Sequence, residues 1–99
     1  MEKINSAAIK YFLKSDPETP CITWGASHGQ CIEWFSFAGY YSSMRCMDKE
    51  VQGFLTTTGR FVDRKEAYQI AKKQGQLIND NNKSLGEGVL DSYNVKFAE

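Results

Sequence analysis

The fold is decided by the stretch Val51–Gly75, which reads VQGFLTTTGRFVDRKEAYQIAKKQG. Its opening residues, VQGFLT, have the composition of a β-strand, and the TTGR that follows is typical of a turn. Gly59 can adopt the positive φ that a tight turn requires. The extended apolar pattern resumes at Phe61 and Val62. The sequence therefore predicts a β-hairpin over 51–62.

The second half of this stretch predicts a helix over 64–74. Asp63 and Glu66 form a D-x-x-E arrangement of the capping-box type at its start. Two lysines in the last turn suit the negative end of the helix dipole. Gly75 is placed to end the helix.

The N-terminal third is ambiguous by periodicity alone. Ile4–Leu13 fits a helical stripe and strand alternation equally well. The following Ser15–Pro20 is a dense turn signal, and Cys21–Trp24 contains residues that favour strands. Two short apolar runs around a polar loop indicate a second hairpin, roughly over 5–24.

A second helix is expected near 28–38, with Ser27 as its N-cap and Gly39 as its stop. The residues that fall on its apolar face are Cys31, Ile32, Phe35 and Ala38, widened by Trp34 and Phe37. The span 40–50 is irregular and predicts a connection with a short helical turn. Together these elements predict an α+β fold, in which two hairpins form a small antiparallel sheet and two helices pack on one face.

The chain has 99 residues, which is enough for one domain over 1–99 with one hydrophobic core. We expect a polar and mobile segment over 79–88, followed by an apolar tail that docks on the domain or on a second subunit. Twelve basic residues balance twelve acidic ones, which argues against a general binder of long nucleic acids and against a polybasic membrane protein. With no apolar run near ~18 residues and no signal-peptide pattern, we expect a cytoplasmic protein.

Catalytic and metal-binding motifs are absent from the sequence. The three cysteines are widely spaced and contain no C-x-x-C pair. A Cys₃His site with His28, or a Cys31–His28 dyad, is conceivable, but reduced structural cysteines are the simpler interpretation. We therefore predict no enzyme, no cofactor and no metal.

The hairpin over 51–62 and the start of the next helix combine groups that a small anionic ligand would use. Arg60 and Arg64 can form paired hydrogen bonds to phosphate. Phe54 and Phe61 offer faces on which a base can stack. The helix N-terminus adds free N–H groups, for which the Asp63 carboxylate competes. The alternative is a core hairpin with both phenylalanines buried and both arginines solvated.

The same segment carries a resemblance to a known family. The matching strings are QGF, GRFVDRKEA, IA and GQL over 52–77, with AAIKY over 7–11 and GASHGQCI over 25–32 upstream, and LDS over 90–92 as a weaker echo. This pattern resembles a family of small phage-borne proteins that includes, or is similar to, the anti-Thoeris sponge proteins.

That resemblance implies binding without cleavage of a cyclic ADP-ribose isomer or a cyclic oligonucleotide, which hides an immune signal of the host. It also implies a homodimer or higher homo-oligomer in the host cytoplasm, with sites at subunit interfaces. Phe54 would lie against the base, and Asp63 would read a ribose or base edge. The residues that we predict to contact the ligand are Trp24, His28, Phe54, Thr56, Arg60, Phe61, Asp63 and Arg64.

An alternative function from another class is a phage-encoded interaction module that blocks a host protein by surface contact. It predicts an exposed aromatic patch, and the candidate residues are Trp24, Trp34, Tyr40 and Tyr41.

Overall fold

The computed structural model describes residues 1–78 and 88–98. Its strands are β1 (Ile4–Leu13), β2 (Asp16–Gly25), β3 (Val51–Thr56) and β4 (Phe61–Asp63), and its helices of more than one turn are α1 (His28–Ala38) and α2 (Arg64–Lys73). Two short 3₁₀ turns, Ser42–Met44 and Met47–Lys49, lie between α1 and β3. The strands form one antiparallel sheet in the order β2-β1-β3-β4. The predicted α+β class and the hairpin origin of the sheet are confirmed.

Both helices lie on the same face of the sheet, as predicted. Alternate residues of β1, namely Ala7, Ile9 and Tyr11, point to that face. The buried cluster around α2 consists of Ile4, Ala7, Phe54, Val62, Ala67, Ala71, Leu90 and Val95. The buried cluster around α1 consists of Ile9, Tyr11, Cys31 and Phe35. We call the opposite face, which carries no helix among the described residues, the outer face.

The predicted starts of both helices are confirmed by their N-caps. The Ser27 side chain accepts a hydrogen bond from the backbone N–H of Gln30 at 3.1 Å. In the same way Asp63 accepts from the N–H of Glu66 at 2.8 Å. Each bond satisfies a donor that the first turn of a helix leaves free.

The first hairpin turns earlier than the sequence indicates. The turn signal over Ser15–Pro20 predicts a loop, but the chain reverses at 14–15 and β2 already begins at Asp16. Pro17 and Pro20 therefore lie within a strand. They are tolerated because β2 is at the edge of the sheet, where a missing N–H need not interrupt the ladder.

Helix α1 buries a much narrower stripe than predicted. His28, Cys31 and Phe35 are its buried residues. The predicted core residues Ile32 and Ala38 are exposed, and Phe37 is 90% exposed. The reason is position: α1 lies over β1 and β2 at one margin of the sheet, so only one residue per turn reaches the strands.

The C-terminal residues pack against the domain. Leu90 and Val95 are buried in the α2 cluster, and the backbone N–H of Leu90 donates to the carbonyl oxygen of Arg64. Of the polar segment predicted over 79–88, all but Gly88 lies outside the described residues.

Candidate functional site

The two phenylalanines of the second hairpin lie on opposite faces of the sheet. Phe54 pairs with Val62, whereas Phe61 pairs with Leu55, so the register alternates their directions. Phe54 is 0% exposed in the core beneath the helices. Phe61 lies half-buried on the outer face, where its ring crosses Gly53. The two rings therefore cannot line one pocket within a single chain, and Phe54 has no face open to a base.

His28 is a buried histidine with both ring nitrogens in use. Its Nε2 lies 2.7 Å from the carbonyl oxygen of Gly53, and its Nδ1 lies 3.3 Å from Nη2 of Arg64. A carbonyl only accepts and a guanidinium only donates, so Nε2 carries the proton and Nδ1 accepts. Burial, reinforced by the Arg64 charge, lowers the pKa of His28 and keeps the ring neutral.

Arg64 ties this histidine to the C-terminal tail. Its Nη1 donates to the carbonyl oxygen of Leu90 at 2.7 Å, and Nη2 also donates to Oε1 of Gln52 at 2.7 Å. Burial lowers the pKa of Arg64, and the nearby Asp91 carboxylate opposes that shift. The guanidinium thus bridges β3, α1 and the tail, and three of its five N–H donors point to protein acceptors.

Arg60 lies between two carboxylates. It donates to both oxygens of Glu2, at 3.1 and 2.8 Å, and to Oε2 of Glu66 at 2.6 Å. The Glu2 carboxylate also accepts from the hydroxyls of Thr56 and Thr58. The Arg60 guanidinium is the main reason that the pKa of Glu2 falls to about 2, with the two threonines adding to the effect. One positive and two negative charges do not make a phosphate site.

The predicted residues therefore fall into separate groups. His28, Phe54 and Arg64 meet in one cluster, since the His28 and Phe54 rings pack edge to face at 5.0 Å. Asp63 is occupied as the cap of α2. Thr56 and Arg60 lie together with Glu2, and Trp24 stands apart on β2.

Trp24 is the predicted residue with an open aromatic face. It is 65% exposed and lies on the outer face of β2, opposite Ala8 of β1. Ile22 lies on the same face of the strand, and Trp34 approaches from α1 on the other side of the sheet. These residues and Thr23 line a groove of about 170 Å³. We call the set Ile22, Trp24 and Trp34 the aromatic edge.

Trp34 is held in place although it is 39% exposed. Its ring lies 6.1 Å from Tyr11, 5.7 Å from Phe35 and 5.8 Å from Tyr40, measured between ring centroids. An aromatic side chain that is already ordered loses little conformational entropy when it binds a partner. The aromatic edge thus has one anchor fixed by packing and one, Trp24, that is open to solvent.

The model of the family described as "Phage T4 y16D protein" matches residues 3–94. The chain belongs to the phage T4 y16D protein family. No curated protein and no solved structure matches it. The family description names a phage source and no activity, and its match includes every residue of the aromatic edge.

Within the part of the chain that the structure describes, no helix is long and apolar enough to cross a membrane. The same residues contain no group of three or more His, Cys, Asp or Glu side chains placed to bind a metal ion.

Sequence reasoning missed one member of the aromatic edge, Ile22, which carries no motif. Trp34 was named for the exposed aromatic patch of the interaction module, although it was also expected to widen the core stripe of α1. A local signal for Trp34 is its neighbour Glu33, a charge within the apolar run IEWF that turns this part of the helix towards solvent.

Proposed function

We propose that this phage protein is a non-catalytic binding protein that acts by surface contact on a host protein in the cytoplasm. The observation that carries the proposal is the aromatic edge, where two tryptophans flank a groove and remain accessible. Exposed aromatic residues in preformed positions are the commonest anchors of protein–protein interfaces.

Catalysis finds little support in the side chains that would perform it. Burial raises the pKa of the Cys31 thiol to about 11, so the reactive thiolate is scarce at neutral pH. Its sulfur lies 3.9 Å from the backbone carbonyl oxygen of Ala7 and 4.0 Å from that of Thr23. His28 is committed to Gly53 and Arg64, so it is not free to act as the base of a Cys–His dyad.

Sequestration of a cyclic nucleotide is the second candidate function. One observation favours it besides the resemblance: a cavity of about 420 Å³ is lined by Lys3, Lys96 and the residues that directly follow α2. That volume is within the range of ligand pockets, and two ammonium groups suit a phosphate. In this candidate two or more copies assemble around the ligand. The residues that contact it, Lys3 and Lys96, are not among those predicted from the hairpin over 51–62.

The test of surface contact is a capture experiment with matched variants. Immobilised wild-type protein is exposed to host lysate, alongside Trp24→Ala and the control Tyr93→Ala. Tyr93 is 74% exposed and lies in the C-terminal tail, away from the aromatic edge. We expect a defined host protein to be retained by the wild type and the control and released by Trp24→Ala. Identical retention by all three proteins would contradict the proposal.

The second candidate is tested by isothermal titration with cyclic ADP-ribose isomers and cyclic di- and trinucleotides. Binding that is abolished by Lys3→Ala/Lys96→Ala and kept by Trp24→Ala would favour sequestration. The absence of heat with every nucleotide would remove that candidate.

A further inference from the structure

Strand β2 is an edge strand whose two halves differ. Asp16–Pro20 contains two prolines and two acidic residues, which are the usual means of protecting an edge from further pairing. Cys21–Gly25 contains neither proline nor charge. Because hydrogen bonds alternate in an antiparallel pair, every second residue of this half directs its N–H and C=O away from β1. The second half is therefore an open template for another strand.

The aromatic edge frames this template from both sides. A strand added beside Cys21–Gly25 would place alternate side chains above and below the sheet. Those on the outer face would contact Ile22 and Trp24. Those on the helical face would contact Trp34, across the groove of about 170 Å³. Backbone pairing together with side-chain contacts on both faces is the pattern of strand addition.

The sequence that forms β2 and α1 is acidic. Between Lys14 and Arg45 the sequence has three acidic residues, Asp16, Glu18 and Glu33, and no lysine or arginine. All three acidic side chains are exposed, and none forms a salt bridge within the described residues. Two lysines lie close to this strand. Lys49 donates to the Pro17 carbonyl oxygen at 3.0 Å, beside the first half of β2, and Lys10 extends over Phe61, away from the second half.

We propose that the second half of β2 binds an extended, lysine- or arginine-bearing segment of a partner protein as a fifth strand of the sheet. This inference rests on the proposed function and specifies the partner's chemistry. Acidic side chains attract the cationic segment, and the open faces of Trp24 and Trp34 favour cations by cation–π interaction.

The test uses a synthetic peptide in which lysine and valine alternate, long enough to match Cys21–Gly25. Binding is followed by fluorescence anisotropy of a labelled peptide, and strand addition by amide hydrogen exchange. We expect binding that weakens as salt is added and slower exchange at alternate amides of Cys21–Gly25. A peptide with glutamate in place of lysine should not bind.

Matched variants separate the contributions. Trp24→Ala should weaken binding about tenfold or more, as expected for a central aromatic anchor. Glu33→Gln should weaken it roughly two- to fivefold, in line with an exposed ion pair. Gln69→Lys changes the net charge by the same amount on the exposed side of α2 and should leave affinity unchanged.

Three results would overturn this inference: no binding of the lysine peptide, equal binding of the glutamate peptide, or binding without protection of the β2 amides. If the peptide does not bind but the wild type captures a host protein that Trp24→Ala does not, the proposed surface contact is supported and strand addition is refuted. If the peptide binds and protects the β2 amides but the lysate yields no partner that depends on Trp24, strand addition is supported and the proposed action on a host protein is refuted.

Discussion

Replacing His28 with glutamine should remove a pH dependence of stability that the native histidine creates. A glutamine amide can donate to the Gly53 carbonyl oxygen and accept from Arg64, which are the two roles of the ring nitrogens. It cannot become charged. The variant therefore keeps the hydrogen-bond pattern and loses only the titration and the ring packing against Phe54.

The sign follows from the direction of the pKa shift. The pKa of His28 is lowered from 6.5 in the folded protein, mainly by burial and then by the Arg64 charge. The unfolded chain therefore binds more protons as the pH falls below 6.5. The stability that the folded protein has with neutral His28 is therefore fully present above pH 6.5. It is lost as the pH approaches the lower pKa that His28 has in the folded protein. Within that window the free energy of unfolding of the wild type should fall by at most ~1.4 kcal/mol per pH unit.

The assay is urea unfolding followed by tryptophan fluorescence at several pH values between about 7.5 and 5. Near neutral pH the variant should be about 1–2 kcal/mol less stable, because it loses the edge-to-face contact with Phe54 and part of the side-chain volume. Its stability should then change less with acidification than that of the wild type. Parallel pH profiles for the two proteins would refute a neutral, buried His28 linked to Gly53 and Arg64.

Three further predictions concern backbone space, helix capping and acid stability. Gly53→Ala should destabilise the protein by about 3 kcal/mol in urea unfolding, since a Cβ there would collide with the carbonyl oxygen of Val62; a change near zero would contradict this packing. Ser27→Ala should raise hydrogen exchange in the first turn of α1 and cost about 1 kcal/mol, whereas Ser27→Asp should restore the cap. The carboxylate of Glu2, whose pKa is lowered to about 2 mainly by Arg60, stabilises the fold above pH 4.5 and ceases to do so as the pH falls to about 2. Glu2→Gln should lack this component in acid unfolding followed by circular dichroism, and an unchanged acid profile would count against the Glu2–Arg60 contact.

Local signals were enough to predict the secondary structure around the second hairpin. The strand composition of 51–56, the Gly59 turn and the Asp63 cap each act over a few residues, so they can be recognised without knowing the rest of the fold. The N-terminal hairpin was predicted from the same kind of signal, but its turn was placed too late. Prolines are evidence for a loop only when the strand would be central, and the sequence does not say which strand is at the edge.

The arrangement of the candidate site residues could not be predicted from the sequence. Arg60 looks available for phosphate in the sequence, yet its charge is taken up by Glu2, 58 positions away. His28 and Arg64 are brought together by the packing of α1 and α2 against the same sheet face. Trp34 was named both for the apolar stripe of α1 and for an exposed aromatic patch, and only the tertiary structure places it in the aromatic edge.

By itself the sequence determined the α+β class, both hairpins, both helices and their caps, because these depend on the conformational preferences of neighbouring residues. The tertiary structure decided which face each side chain takes, and so separated Phe54 in the core from Phe61 on the outer face. It also decided which charges are neutralised and left Trp24 and Trp34 flanking an open strand. These outcomes depend on strand order, register and contacts between distant residues, which no local pattern encodes.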